Sequence, residues 1–351
     1  MKVLVRADAN KIIAMGHVMR CLSIADALSD KGVLVSFACA STDPKALIES
    51  RGYKVTVFNS DYQKMDEELP QMEELIKKEG IDLVIVDTYS AYEGYFEKLN
   101  EITKTAYVDD YGKNAFSVDY LINYNAYGEY IPYEEIYKKA AVKLPKLLLG
   151  PMYAPLRRDF QKKHERIKSD MFEVLLSTGG ADATHVAITL LRRFNKEIEA
   201  GNLEKVRLNI LVGPFNGDKE AIMDESVTFP GRVNLYSDIT DMPGFLSRFD
   251  AAMSAAGSTT YELCSMGIPT MLFCTADNQA QIFEAFKKNG LMMTAGFTDK
   301  EMETVTDRLV DFMGIMSANA DLCEEYSKKA LQVTDALGAI RIADNIINIR
   351  A

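Results

Sequence analysis

His17 follows Gly16 in the run Arg6-Ala7-Asp8-Ala9-Asn10-Lys11-Ile12-Ile13-Ala14-Met15-Gly16-His17. An imidazole beside a glycine, where a strand passes into a helix, has the residue types a general base needs. A helix start disfavours imidazolium, so the ring stays neutral and able to accept a proton. Gly16 lets a ligand approach the backbone closely. The structural alternative is a capping or packing histidine; Arg6, Asp8 and Gly16 in the same loop weigh for the functional one. Asp87-Thr88-Tyr89 and Asp109-Asp110-Tyr111 each end a strand. Paired carboxylates near a histidine can orient it or a sugar hydroxyl, and they are also common turn residues. His164 sits in a charged run and reads as solvated surface. His185 could cap a helix or contact phosphate, and reads as the structural residue. With 3 histidines, none in HxH or HExxH spacing, no His-based metal site is expected.

A second set of loops suits anion binding. In Ser254-Ala255-Ala256-Gly257-Ser258-Thr259-Thr260-Tyr261-Glu262 a strand ends, small residues turn, and a helix begins. Exposed N–H groups at such a start, with the helix dipole behind them, suit a diphosphate. Ser258 or Thr259 supplies a hydroxyl or a cap. Glu262, about one turn in, suits a pair of ribose hydroxyls; the alternative is a capping box with Thr259. Ser177-Thr178-Gly179-Gly180 is a second glycine-rich strand end, either a ligand loop or a tight turn. It is neither GxGxxG nor GxxxxGK[ST], so nicotinamide and P-loop readings lack their fingerprints. Asn278-Gln279 precedes another helix and reads either as amides facing a base or sugar edge or as a helix cap.

These loops need strands to end on. Lys2–Arg6, Val33–Ala38, Lys54–Phe58, Leu83–Asp87, Thr105–Val108 and Tyr120–Ile122 read as strands, alternating with helices at Gly16–Leu28, Pro44–Arg51, Asp66–Glu79 and Tyr95–Ile102. Continuous apolar strands between helices imply parallel sheets covered on both faces. The pattern restarts with strands at Phe172–Leu176, Leu208–Val212, Asn234–Tyr236, Asp250–Ser254 and Thr270–Phe273, and helices at Val186–Phe194, Met242–Arg248, Thr259–Met266 and Gln279–Asn289. Pro145–Lys168, with Pro151, Pro155 and a basic run that includes Lys163, is expected to be the linker. At about 150 residues per domain, the 351 residues make two domains. They are expected at 1–155 and 156–351, α/β in class, with ligands at the carboxyl ends of the strands.

The charge sum, 40 basic against 51 acidic residues, is −11. That argues against a nucleic-acid footprint and against docking on anionic lipid. Hydrophobic residues at 48% and charged residues at 26% supply material for two cores and exclude disorder. The 5 cysteines form no CxxC pair and read as buried thiols of a reducing compartment. MKVLVRADAN reads as a strand rather than a signal peptide, and no apolar run is long enough to span a membrane. A soluble, cytoplasmic protein without membrane insertion is the expectation.

The opening RADANKIIAMGHVMRCLSIADAL resembles the N-terminus of the UDP-2,4-diacetamido-2,4,6-trideoxy-β-L-altropyranose hydrolases of pseudaminic acid biosynthesis. That group includes proteins of spore-coat polysaccharide synthesis and is similar in fold to the MurG-like glycosyltransferases. LLLGPMYAPLRRDF is similar to its interdomain segment, LLSTGGADATH to its glycine-rich loop, and SAAGSTTYELCSMGIPTMLFCTADNQ to its nucleotide-binding region. TDALGAIRIADNI resembles its C-terminal helix, which in such folds often packs back on the first domain. The resemblance implies GT-B architecture, two Rossmann-like domains whose parallel sheets face across a cleft. It implies His17 as general base, Gly257, Ser258 and Thr259 as diphosphate ligands, and Glu262 as a ribose ligand. Arg6 and Asp8 match the opening motif, and Asp8, Asp87 or Tyr89 would orient His17 or the sugar. Gly179, Gly180, Asn278 and Gln279 fall in its binding segments. This chain has Thr88 where the family has a histidine, and Asn10 and Ala14 where it has small residues. The implied reaction is hydrolysis of a UDP-sugar, releasing UDP and free sugar with no metal or cofactor. A glycosyltransferase using a UDP-sugar donor and a non-catalytic nucleotide-sugar-binding protein are the alternatives.

Overall fold

The computed structural model describes residues 1–10, 13, 15–162 and 164–348. Ala14 and Lys163, singled out above, lie outside the described residues. The chain divides into two compact units, Met1–Arg158 with Ala336–Ala351, and Asp159–Asp335. No described helix is long and apolar enough to cross a membrane.

In the first unit the elements run β1 (Lys2–Ala7), α1 (Gly16–Ser29), β2 (Leu34–Cys39), α2 (Lys45–Ser50), β3 (Lys54–Val57), α3 (Met65–Glu79), β4 (Leu83–Asp87), α4 (Glu93–Asn100), β5 (Lys104–Val108), β6 (Tyr120–Asn123), α5 (Tyr133–Ala140) and β7 (Lys146–Leu149). The strands form one parallel sheet in the order β3-β2-β1-β4-β5-β6-β7. Its central strands are buried apart from Lys2, and apolar apart from Lys2, Arg6 and Asp87 at their ends, as a sheet covered on both faces requires. The helices carry their own signals. α3 opens on Asp66, Glu67 and Glu68 and closes on Lys77 and Lys78, which matches the helix dipole. It stops at Gly80, whose φ of 65° suits a residue without a Cβ.

The second unit contains β8 (Phe172–Ser177), α6 (Val186–Glu199), β9 (Val206–Leu211), α7 (Lys219–Ser226), β10 (Val233–Tyr236), α8 (Met242–Leu246), β11 (Ala251–Ala255), α9 (Thr259–Ser265), β12 (Thr270–Cys274), α10 (Ala280–Lys288), β13 (Met293–Phe297), α11 (Thr298–Ala318) and α12 (Ala320–Leu331). Its sheet is also parallel, in the order β10-β9-β8-β11-β12-β13. Val174, Leu176, Leu191, Phe194, Ile210, Met253 and Phe273 share its main core with Leu309, Phe312 and Met313 of α11.

A final helix, α13 (Gly338–Ile347), belongs to the first unit and packs on α1. Lys31 Nζ meets Asp344 Oδ1 at 2.5 Å, and the Tyr120 hydroxyl donates to Asn345 O at 2.9 Å. Gly338 lies so close to the Ala154 carbonyl that a Cβ would overlap it.

The expected linker needs a correction. Within Pro145–Lys168, Lys146–Leu149 form β7, paired in parallel with β6. A four-residue edge strand has too short an apolar run to show periodicity, and its partner strand decides it. The last segment likewise joins the first unit, and the boundary between units falls after Arg158.

Candidate active site

Strand order reverses between β1 and β4 in the first sheet and between β8 and β11 in the second. At such switch points the loops leave in opposite directions and open a crevice at the carboxyl ends. Asp87 is the last residue of β4, and Ala7 ends β1.

His17 is the second residue of α1, so the ring stands at that crevice's edge. It is 5% exposed. His17 Nδ1 lies 2.6 Å from Asp87 Oδ1, and the Tyr89 ring meets the imidazole edge-on with centroids 4.6 Å apart. Among the described residues no hydrogen bond to Nε2 is present. Gly16, with open space where a Cβ would stand, leaves the approach to His17 clear.

Asp87 is fully buried and accepts four bonds. Besides His17, Arg20 reaches its Oδ2 from Nε at 2.6 Å and its Oδ1 from Nη2 at 2.5 Å. The Cys21 thiol donates to Oδ2 at 3.3 Å. Burial pushes this carboxyl up, but the Arg20 charge and then His17 outweigh it and hold Asp87 well below the usual carboxylate range. Burial works against the Arg20 charge too, and Asp110 and Asp87 overcome it, raising the guanidinium well above its ordinary value. Asp110 takes Arg20 Nη1 and Nη2 at 2.9 Å each, the Tyr89 hydroxyl at 3.0 Å and the Asn125 amide at 3.1 Å. Burial, and next the Asp110 charge, keep the Tyr89 phenol protonated far above its ordinary range. Asp87 is thus a fixed anion, set against the imidazole of His17.

The structure separates the remaining first-unit candidates from this cluster. Arg6 is fully buried, with Nε and Nη2 on Glu68 at 2.6 and 2.8 Å and Nη1 on Asp8 at 2.5 Å. Asp8 also accepts from the Ala40 N–H at 2.7 Å. The pair ties the end of β1 to α3 and to the loop after β2. Of the candidates for orienting His17, Asp8 makes no hydrogen bond to it: β1 carries Asp8, with Arg6, into a separate buried network. Asp109 caps a turn, accepting from Tyr111 and Gly112 N–H groups and from the Tyr133 hydroxyl. Of the further neighbours, spacing could have indicated Arg20, three residues after His17 and hence on the same helical face; Asp110 and Tyr124 come from distant strand ends and carry no local signal.

In the second unit, Gly179 and Gly180 are exposed at the end of β8. Gly213 packs against their carbonyl oxygens, and the Phe215 N–H donates to Gly180 O at 2.9 Å. Asp182 caps α6 through the N–H groups of Val186 and Ala187. His185 is exposed and ion-paired with Asp218 at 2.6 Å. His164 is half-buried and meets Asp159 O at 2.9 Å.

Gly257, Ser258 and Thr259 sit between β11 and α9 as expected, but the Gly257 N–H donates to Ala255 O at 2.8 Å. Gly257 therefore contributes open space rather than a donor. The N-cap residue Ser258 makes no side-chain capping bond to α9. Asn278 is exposed; the Gln279 carbonyl oxygen accepts from the Thr275 N–H at 2.9 Å and from its hydroxyl at 3.2 Å, which makes Gln279 a loop brace. Two hydroxyls went unnoticed in the sequence. Thr178 Oγ1 after β8 and Thr260 Oγ1 in α9 are buried without a hydrogen-bond partner among the described residues. Buried polar atoms of this kind call for a partner. Among the described residues no group of three or more His, Cys, Asp or Glu could hold a metal ion.

No family model matches the chain. It is 23% identical to the spore coat polysaccharide biosynthesis protein SpsG of Bacillus subtilis, over 97% of this chain and 96% of that one. It is 24% identical to the UDP-2,4-diacetamido-2,4,6-trideoxy-beta-L-altropyranose hydrolase of Campylobacter jejuni, over 83% of this chain and 97% of that one. The crystal structure of MurG from Acinetobacter baumannii superposes with a TM-score of 0.68 at 15% identity, covering 99% of this chain and 100% of that one. The fold is GT-B. The two parallel sheets of this GT-B chain, with 7 and 6 strands, put the His17 cluster and the unpartnered threonines each at a strand-order reversal.

Proposed function

We propose that the protein hydrolyses the anomeric C–O bond of a UDP-activated diacetamido-trideoxy sugar, with His17 as general base. The observation that carries this is the buried Asp87–His17 pair at 2.6 Å, with Tyr89 against the ring. His17 Nε2 takes a proton from water, the water oxygen bonds to the anomeric carbon, and the bond to the diphosphate oxygen breaks. UDP leaves with that electron pair, and the sugar is freed with inversion. A positioned base of this kind contributes about 10²–10⁴-fold. Asp87 holds the imidazole and stabilises the imidazolium that forms; Tyr89 packs against the ring.

The nucleotide is assigned to the second unit: Ser258, Thr259 and the Gly179–Gly180 loop for the diphosphate, Gly257 for close approach, Glu262 for the ribose, and Asn278 for a base or sugar edge. The unpartnered hydroxyls of Thr178 and Thr260 support this, because they lie in or beside these segments and lack a partner. The C. jejuni relative supplies the substrate class, and the B. subtilis relative supports a place in surface polysaccharide synthesis.

The test is UDP release from a panel of UDP-diacetamido-sugars without acceptor, with proton NMR of the liberated sugar. Free sugar of inverted configuration is expected, with a loss of 10² or more in His17→Asn at unchanged UDP affinity. Turnover that begins only when an acceptor alcohol is added would overturn hydrolysis in favour of glycosyl transfer.

A further inference from the structure

Arg20 has five N–H groups, one on Nε and two on each terminal nitrogen. Five acceptors surround it. Nε points to Asp87 Oδ2 at 2.6 Å. Nη1 faces Asp110 Oδ1 at 2.9 Å and the Tyr124 hydroxyl at 3.0 Å. Nη2 faces Asp87 Oδ1 at 2.5 Å and Asp110 Oδ2 at 2.9 Å. A sixth neighbour, His17 Nδ1, lies 3.0 Å from Nη2.

The sixth contact resolves by chemistry. A carboxylate oxygen and an imidazole nitrogen 2.6 Å apart need a proton between them. Asp87, doubly bonded to a guanidinium, stays ionised, so that proton belongs to Nδ1. Nδ1 then has no lone pair for Arg20, and both Nη2 protons go to carboxylates. Each of the five Arg20 N–H groups then has its own acceptor.

We infer that Arg20 is a positioning residue: by giving two N–H groups to Asp87, two to Asp110 and the fifth to Tyr124, it fixes His17 as the Nδ1–H tautomer and leaves Nε2 as the proton acceptor. The inference rests on the proposed role of His17 but speaks of the free protein. Arg20 touches no reacting atom in this account. It has a second effect, on charge. The groups facing the pair are Arg20 and Cys21 on α1, Asp87 ending β4, Tyr89 after it, Tyr107 on β5, Asp110 and Tyr111 after β5, and Tyr124 after β6. Arg20 is the cation among them. Without it the imidazole would face Asp87 and Asp110 with no opposing cation among the groups just named, and the two carboxylates would favour the protonated ring, leaving no acceptor for water.

The experiment is ¹⁵N-histidine NMR on the full chain. Its 3 histidines give three ring-nitrogen patterns, and His17→Asn identifies the one that vanishes. Wild type is expected to show Nδ1–H with unprotonated Nε2 at neutral pH. In Arg20→Met the imidazole should stay protonated about one pH unit or more further up, and the acid limb of the kcat/KM profile should move with it. Arg20→Lys, which keeps the charge, should move much less. An Nε2–H tautomer in wild type, or an Arg20→Met ring that titrates as wild type does, would overturn the inference. Should Arg20→Met fail to fold, the wild-type tautomer decides by itself. A protein that passes these tests yet cleaves no UDP-sugar would refute the hydrolase reading and leave the positioning role intact.

Discussion

Replacing Asp87 by asparagine changes one oxygen to an amide nitrogen in the middle of the cluster, and its consequences can be worked through. Asp87 accepts from His17, from Arg20 twice and from Cys21. An amide can offer a donor to Nδ1, which moves the imidazole proton to Nε2, the atom that must accept a proton from water. In enzymes with a carboxylate–imidazole pair this swap costs about 10⁴-fold in kcat through the wrong tautomer. A loss between about 10² and 10⁴ is expected here, the range of a general base. Stability falls as well. Breaking a buried ion pair costs about 3–5 kcal/mol, and Asp110 still neutralises Arg20, so the lower figure applies. The two effects separate in the assay: UDP release without acceptor, measured below both melting temperatures on protein checked for native circular dichroism. A folded Asp87→Asn variant with kcat/KM within threefold of wild type would refute the carboxylate–imidazole reasoning.

The stability term also has a pH signature. Asp87 is held below its unfolded range of about 3.9, so its contribution is present above that range and disappears as pH falls through the folded-state value. The gap in urea midpoint between wild type and Asp87→Asn should therefore narrow progressively as pH falls below about 4, and close only at the folded-state value well under the usual carboxylate range; a gap that stays constant on acidification would contradict it. Gly213→Ala puts a Cβ into the carbonyl oxygens of Gly179 and Gly180; about 1–3 kcal/mol is lost and UDP affinity drops tenfold or more, whereas unchanged melting and affinity would show that the close contact is dispensable. Burial keeps the thiols inert, with Cys39 pushed up to about 12 and Cys21 and Cys264 also buried and raised. Native iodoacetamide labelling at pH 8 should reach half-buried Cys323 first and all 5 cysteines only in urea, read by mass spectrometry; rapid labelling of Cys21 would mean that the His17 cluster opens.

Much of the fold was legible because each strand is a continuous apolar run between punctuation that ends helices, such as Gly80 and Gly267. Leu83–Asp87 was placed to the residue, and most other ends fell within one or two. β7 was missed because its four residues carry no periodicity of their own. α11, 21 residues long, was missed although Val305, Leu309, Phe312 and Met316 keep helical spacing: no side-chain cap marks its start, and its first turn departs from helical geometry at Glu301.

The sequence by itself determined two parallel α/β sheets, the place of His17 at a helix start, and the small-residue turns at the ends of β8 and β11. Those features are local: they depend on hydrophobic period, glycine and proline chemistry, and neighbours a few residues away. Only the tertiary structure decided partners. Asp87 lies 70 residues from His17, and Asp110 lies 90 from Arg20, so no spacing rule could join them. Nor could it separate Arg6 from the site, since Glu68, its partner, is 62 residues away. A buried charge must find its counter-charge wherever the chain brings one. Which carboxylate faces which cation therefore follows from the order of strands in the sheet, and with it the line between a residue that holds the fold and one that can move a proton.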